Sequence, residues 1–540
     1  MRQLSGLDAS FLYLETANAP MHISSLAIYD QSTAPGGKVR FKDIIENTTN
    51  RIKRLPILSR HLLTVPLGLD HPYWVSDGSF DPEFHIRHIA LPAPGDWRQL
   101  CIQVARLHAR PLDRSRPLWE MYVIEGLDNV KGYPPGCFAI FTKMHHAAVD
   151  GASGMEITAA LHDLSPDAHH NSEPYEVESD RTPGPLELVL RSQLNNIRQP
   201  FRMISVARNT VPGFARAYAR LRKGELHRIP DVPRIRFNAA VSAHRVFDAA
   251  RFPLSDIKAI KNAVPGATVN DVAITLCGGG LRRYLEAKGE LPEASLVAMA
   301  PINVRDPSEK GTAGNVVSAM AVLLRSDIED PAERLAAVHQ HAVEAKELAN
   351  AIGAKAMTDY TQFIPSTLTA QAARLASRWN LMNQIKPMYN CVITNVPGPQ
   401  VPLYNTGAKM LSNLGTGPVL DSVGLFHVIS SYCGEFSISI TSCRDLMPDP
   451  DFYRQCLQDS FDALLAATVG SAPAPRKAAR GKTAAKKAPA GKARAKKTPG
   501  KKAKAAPGAK KRAAPAVKKT GRAARPAVKP KSASRQRKAG

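Results

Sequence analysis

Residues 143–154 read KMHHAAVDGASG: two adjacent histidines, an aspartate four residues after the second, and a glycine directly behind it. The residues before it, CFAIFTKM, form a continuous apolar run of strand length. Those after it, GMEITAALHDL, carry helical spacing. The reading is therefore α/β, with His146 at a strand-to-helix turn, where a side chain can face a cleft. HxxxD alone is a weak signal, since it recurs at His227/Asp231 and His244/Asp248. Neither of those is followed by glycine; the second contains Pro230 and the third lies in an extended segment.

Three chemistries suit such a turn. A histidine near its reference pKa of ~6.5 can take a proton from a hydroxyl and return it to a leaving group. Asp150 would fix the tautomer or pair with an arginine, and Gly151 would permit a turn that a Cβ forbids. A metal site needs a third ligand that the sequence does not identify. The remaining reading is a purely structural polar turn.

The chain has 540 residues and a formal charge of +25, unevenly placed. Ser471–Gly540 holds 25 Lys and Arg and no acid, leaving 47 basic against 47 acidic residues in Met1–Gly470. The tail, with segments such as AAKKAPAGKARAKKTPGKK, lacks the apolar surface to offset its ordering entropy and is expected to be disordered. As a polyelectrolyte it suits sequence-nonspecific DNA, an anionic lipid surface, or solvation alone. No run of 18 apolar residues suggests a membrane span, and the N-terminus lacks a signal-peptide pattern. Seven scattered cysteines without CxxC spacing suit reduced thiols. The expected location is the cytoplasm, with at most a peripheral seat on a membrane or lipid droplet.

Two mixed halves frame a crossover. The divisions are 1–185, 186–237, 238–470 and the tail 471–540. Strand-like HISSLAIYD and helical KDIIENTTNRIKRL and RQLCIQVARLHAR lie in the first half. Helical TVNDVAITLCGGGLRRYLEAKG, strand-like SLVAMAPINV, YNCVITNVPGP and EFSISITSC, and a closing amphipathic helix lie in the second. Leu186–Lys223 carries eight Lys or Arg against Glu187 alone. It is either a solvated crossover or a basic face for an anionic lipid surface.

HHAAVDG (His145–Gly151) resembles the HHxxxDG motif of bacterial wax ester synthase/diacylglycerol acyltransferases, within the CoA-dependent acyltransferase superfamily. PLW (Pro117–Trp119), ND (Asn270–Asp271), PINVR (Pro301–Arg305), GN (Gly314–Asn315) and NVPGP (Asn395–Pro399) follow in the family's order. So does the opening LSGLDASFLYLETANAPMHISSLAIYD, and the resemblance runs from Leu4 to about Val469.

The resemblance implies two chloramphenicol-acetyltransferase-like domains with an interdomain active-site tunnel. It implies an acyl-CoA-dependent O-acyltransferase that esterifies diacylglycerol, long-chain alcohols or both, without metal or prosthetic group. His146 would be the general base, His145 supportive, and Asp150 structural with Arg305 as its partner. Asn270 would donate to the oxyanion or brace its helix; an Asn or Asp at this helix start also reads as an N-cap. Asp271 would be structural, Pro117–Trp119 would pack beneath the turn, and PINVR and NVPGP would shape the backbone. The alternatives are a catalytically weak tether at a lipid droplet or nucleoid, and an acyltransferase with a different hydroxylated acceptor.

Overall fold

The apolar runs CFAIFTKM and EFSISITSC, nearly three hundred residues apart, lie in two different six-stranded sheets. The structure, a computed structural model, describes the backbone of residues 1–52, 55–76, 78, 80–149, 151–167, 180–197, 208, 219–220, 222–223, 231–303, 317–352 and 386–470. Both sheets belong to one compact unit, Met1–Ala474; a second unit, Pro475–Gly540, falls outside the described residues, and with it the expected disorder of the tail.

In chain order the first half contains β1 (Arg2–Gln3), α1 (Gly6–Leu14), β2 (His22–Asp30), α2 (Phe41–Ile52), β3 (Arg60–Leu63), β4 (Tyr73–Ser76), α3 (Pro82–His85), β5 (Ile86–Ala90), α4 (Trp97–Ala109), β6 (Trp119–Leu127), β7 (Cys137–His145) and α5 (Gly151–Ala160). A helix, α6, covers 185–197. The second half contains β8 (Arg245–Pro253), α7 (Leu254–Ala263), α8 (Val269–Ala287), β9 (Val297–Asn303), β10 (Val317–Leu323), α9 (Pro331–Ile352), β11 (Cys391–Pro397), β12 (Tyr404–Asn405), β13 (Ala408–Thr416), β14 (Leu425–Tyr432), β15 (Glu435–Cys443) and α10 (Pro450–Val469).

The first large sheet runs β12-β13-β2-β7-β6-β5 and the second β10-β9-β11-β14-β15-β8; a small sheet, β1-β4-β3, lies apart. Residues 404–416 come from the second half of the chain but extend the first half's sheet, β13 pairing antiparallel with β2. Ser430 on β14 donates to the Asn413 carbonyl at 2.9 Å, so β13 also touches the second sheet. The two sheets are thereby stitched together along one strand.

β2 and β7 are buried on both faces, which explains why β7 reads as continuous rather than alternating apolar sequence. Leu26 and Ile28 face one core beneath α4; Ala27 and Tyr29 face another, shared with α5. Asp96 and Gln99 form a capping box that starts α4 before its buried stripe of Leu100, Val104 and Leu107.

The second core gathers on α8. Its glycine run would weaken an isolated helix, but close approach explains it. A Cβ on Gly278 would stand 2.3 Å from the Leu324 carbonyl oxygen, and one on Gly280 2.6 Å from Leu457 Cδ2. Helix propensity favours alanine at Gly278 by ~1 kcal/mol, whereas overpacking against backbone costs about 1–3 kcal/mol. The packing cost should win. Gly278→Ala is expected to lower the denaturant midpoint, and a raised midpoint would show that α8 is not held this close.

Candidate active site

The HHAAVDG segment folds as its neighbours dictate: β7 ends at His145 and α5 begins at Gly151. Three backbone hydrogen bonds fix the turn. His145 N–H donates to Leu118 O at 3.0 Å, His146 N–H to Met21 O at 2.8 Å, and Ala148 N–H to His145 O at 2.9 Å. Consecutive residues at a strand end point to opposite sides, so the adjacent histidines part company.

His145 turns into the protein and is fully buried. The Ala147 N–H donates to its Nδ1 at 3.0 Å. Nδ1 is therefore the acceptor nitrogen, and the ring carries its hydrogen on Nε2, which meets Glu15 Oε2 at 2.9 Å. Glu15 also accepts from the Met21 N–H at 3.0 Å and from Arg114 Nη2 at 2.9 Å. Burial pushes the Glu15 carboxyl upward, but the His145 hydrogen bond, with Arg114 and the Met21 amide, outweighs it and holds the group at about 2. His22, opposite His145 in the β2–β7 register, lies 3.9 Å from the same carboxylate. Burial, reinforced by Lys143, pushes His22 well below the ordinary histidine range.

His146 turns the other way. Its ring stacks on Phe11 of α1, centroids 4.0 Å apart and planes 12° from parallel. It lines a cavity of about 1010 Å³ bounded by both halves of the chain, including Leu7, Met21, Met144, Pro301, Asn395 and Phe426. Nδ1 of His146 is buried, which leaves Nε2 as the ring nitrogen a cavity-bound group can reach. A half-buried imidazole with a fixed plane beside a mostly apolar cavity can exchange a proton with a bound hydroxyl.

The other expected residues divide. Asp150 and Arg305 fall outside the described residues, so the proposed pairing does too; the backbone of Gly151 opens α5. Of the ND pair, only Asp271 takes part in capping α8. Thr268 is the N-cap, and Asp271 is the third helical residue, closing a capping box through Thr268 N–H at 2.8 Å while also bonding His339 Nδ1 at 2.9 Å. The helix begins where TVNDVAIT suggests, but its N-cap is Thr268 rather than Asn270 or Asp271. Asn270 does not itself line the cavity; its Oδ1 is 3.5 Å from the amide nitrogen of Asn395, which does.

NVPGP departs from its expected role. Asn395, Val396, Pro397 and Gly398 all line the cavity, so this segment contacts whatever fills it as well as shaping the chain. Pro117–Trp119 lies as expected. Leu118 anchors His145, and the buried Trp119 donates to Leu58 O at 2.7 Å and stacks on His85 at 4.7 Å. Asp248, from the third HxxxD, is structural: it accepts from Trp97 Nε1 at 2.8 Å. Glu15 and Phe11 were missed. They precede the histidines by some 130 residues, and nothing local in FLYLETANAP marks either side chain. No group of three or more His, Cys, Asp or Glu is placed to hold a metal among the described residues.

The Glu15 arrangement predicts a pH dependence. Its folded pKa of about 2 lies below the ordinary 4.5, so its stabilisation is complete above about pH 4.5 and drains as pH falls towards 2. Glu15→Gln should melt lower at neutral pH and lose less stability across that window than the wild type. Parallel acid limbs in the two melting profiles would contradict the assignment.

The wax ester synthase/diacylglycerol acyltransferase catalytic-domain profile matches residues 4–273, and the family's C-terminal-domain profile matches 313–465. A Mycobacterium tuberculosis (strain CDC 1551 / Oshkosh) protein, MT1809, named as a candidate diacylglycerol O-acyltransferase, is 37% identical over 473 residues, covering 86% of this chain and 91% of that one. The wax ester synthase/diacylglycerol acyltransferase of Marinobacter aquaeolei VT8 superposes with a TM-score of 0.60 at 28% identity, over 86% of this chain and 99% of that one. A starter condensation domain of rhizomide synthetase RzmA, solved with C8-CoA and Leu-SNAC, shares the fold alone: TM-score 0.51, 12% identity, 86% and 95% coverage. The expected two-domain acyltransferase architecture is thus the observed one, and this chain belongs to the wax ester synthase/diacylglycerol acyltransferase family of O-acyltransferases.

Proposed function

We propose that the chain transfers acyl groups from acyl-CoA to diacylglycerol, to long-chain alcohols or to both, with His146 as general base. The observation that carries this reading is the divergence of the two histidines, one locked on Glu15 and one presented to the cavity. The Marinobacter relative's name supports the acceptor classes, and a protein of the same fold binds C8-CoA.

The acceptor hydroxyl gives its proton to His146 Nε2 as its oxygen attacks the thioester carbonyl. The neutral ring must then carry its own hydrogen on Nδ1. Collapse of the tetrahedral intermediate breaks the C–S bond, and the imidazolium returns the proton to the departing CoA thiolate. Phe11 holds the ring plane through both transfers. Asn395 Nδ2, held by Asn270 Oδ1, is the donor candidate for the oxyanion. A thioester is already activated, so the reading requires no metal or prosthetic group, and an apolar cavity favours transfer over hydrolysis.

CoA release from palmitoyl-CoA should depend on added diolein or hexadecanol. It should fall ~10²–10⁴-fold in His146→Ala with an unchanged unfolding profile. Turnover surviving in the folded variant would remove His146 from the mechanism, while the better acceptor in the wild type identifies the lipid class.

The same reading places the protein at a lipid surface. No helix among the described residues is long and apolar enough to cross a membrane. On α6, however, Leu186, Leu190, Leu194 and Ile197 are 81%, 66%, 56% and 65% exposed. Their spacing puts them along one helix face, next to the arginine-rich sequence that follows. The tail would add salt-sensitive attraction to polyanions, whether anionic lipid or nucleic acid. In flotation with anionic vesicles, joint Leu190→Asp and Leu194→Asp substitution should weaken binding at least about tenfold at high salt. Removing residues 471–540 should weaken it only at low salt, and added duplex DNA should compete for that share. Vesicle binding unchanged in both variants would leave neither element a lipid contact.

A further inference from the structure

The cavity extends from His146 along one face of β2. Residues on that face recur every second position, and the middle two, Ser25 and Ala27, are small. α5 lies over them, presenting Gly154 and Ile157 one turn apart on the side that lines the same cavity. The result is a trough with a sheet floor and a helix roof, apolar for most of its length. It has a defined end: the next β2 residue on the face is Tyr29, whose hydroxyl meets His162 Nε2 at 2.6 Å.

That end wall is rigid. His162 Nδ1 bonds the Thr158 carbonyl at 2.6 Å, so Nδ1 carries the hydrogen and Nε2 accepts from Tyr29. Tyr29 is 1% exposed and stacks on Phe138 at 5.1 Å. Behind the pair, Arg51 donates to the carbonyls of Ala160 and His162 at 3.0 Å each and pairs with Asp163. Burial holds His162 at about 4, so the wall is neutral at physiological pH. A trough with no charge on its floor and a closed end accepts one unbranched hydrocarbon chain.

Its length is set by the strand. His146 is tied to Met21 at the start of β2, and eight residues of extended chain from Met21 to Tyr29 span about 26 Å. That accommodates a long-chain acyl group whose carbonyl lies at His146. We infer that the trough between α5 and β2 holds the acyl chain of the donor, and that the Tyr29–His162 pair is the stop that sets its maximum length. The assignment rests on the acyl-CoA reading above and adds to it the residues that select chain length. The remaining part of the cavity, towards Met299, Tyr389 and Phe426, is left to the acceptor.

The test is the chain-length profile of CoA release in the full-length protein, from octanoyl-CoA to behenoyl-CoA at fixed hexadecanol and, in a second series, from octanol to docosanol at fixed palmitoyl-CoA. Tyr29→Ala opens the wall, and its kcat/KM for behenoyl-CoA relative to palmitoyl-CoA should rise at least about tenfold. Ala27→Met blocks the trough midway and should move the optimum the other way, towards octanoyl-CoA. It also keeps the question answerable if Tyr29→Ala does not fold. Acyl profiles that superimpose on the wild type in folded variants overturn the assignment. So does a shift confined to the profile of alcohol lengths, which would put the acceptor chain in the trough. A wild type that turns over no acyl-CoA overturns the acyl-CoA reading itself, and this assignment with it.

Discussion

Everything at the catalytic turn depends on one buried carboxylate. Glu15 follows α1 directly and accepts hydrogen bonds from the start of β2 through Met21, from the end of β7 through His145, and from Arg114 ahead of β6. Three strands and a helix are thus registered on two oxygen atoms. Breaking a buried carboxylate–donor network of this kind typically costs about 3–5 kcal/mol, because the partners lose both bond and solvent. The same contact dictates chemistry. By fixing His145 inward it leaves His146 as the histidine at the cavity, and α1, held against the turn, supplies the Phe11 ring that orients it.

The cavity is a product of the sheet arrangement. Residues 404–416 leave the second half to extend the first sheet, and the Ser430 side chain of β14 bonds the Asn413 carbonyl of β13. Because β13 extends the first sheet while β14 bonds it, Asn413–Thr416 line the cavity together with Val428, Ser430 and Ser431. The active site is therefore lined by strands of both sheets, and holding two bound substrates in register can supply about 7–11 kcal/mol of the barrier.

How much of this could be read from the chain follows from where the information lies. The strand, turn and helix around His146 are contiguous, so their periodicities revealed both the local fold and the candidate base. The buried Trp119 beneath the turn was legible only through the resemblance carried by PLW. Glu15, Phe11 and Tyr29 were not: each acts through contacts with residues more than a hundred positions away, and their own neighbours are ordinary helix or strand sequence. The cap of α8 was misplaced by two or three residues because Thr268, Asn270 and Asp271 are all capping types, and only geometry separates them. NVPGP looked like turn chemistry, but Asn395–Pro397 close β11, and no pattern reveals that a strand end also faces a cavity. The exchange of β13 between sheets left no mark, since strand pairing partners are a tertiary property.

The central claim is the division of labour between adjacent histidines, and one paired measurement tests it most directly. Acceptor-dependent CoA release would be compared in His145→Gln and His146→Gln, each shown to be folded by thermal denaturation. The account predicts that His146→Gln loses ~10²–10⁴-fold in kcat with its melting temperature retained. His145→Gln should melt markedly lower while keeping most of its kcat below that transition. The opposite pattern, with turnover lost at His145 and kept at His146, would contradict the assignment of the base and of the buried Glu15 contact alike.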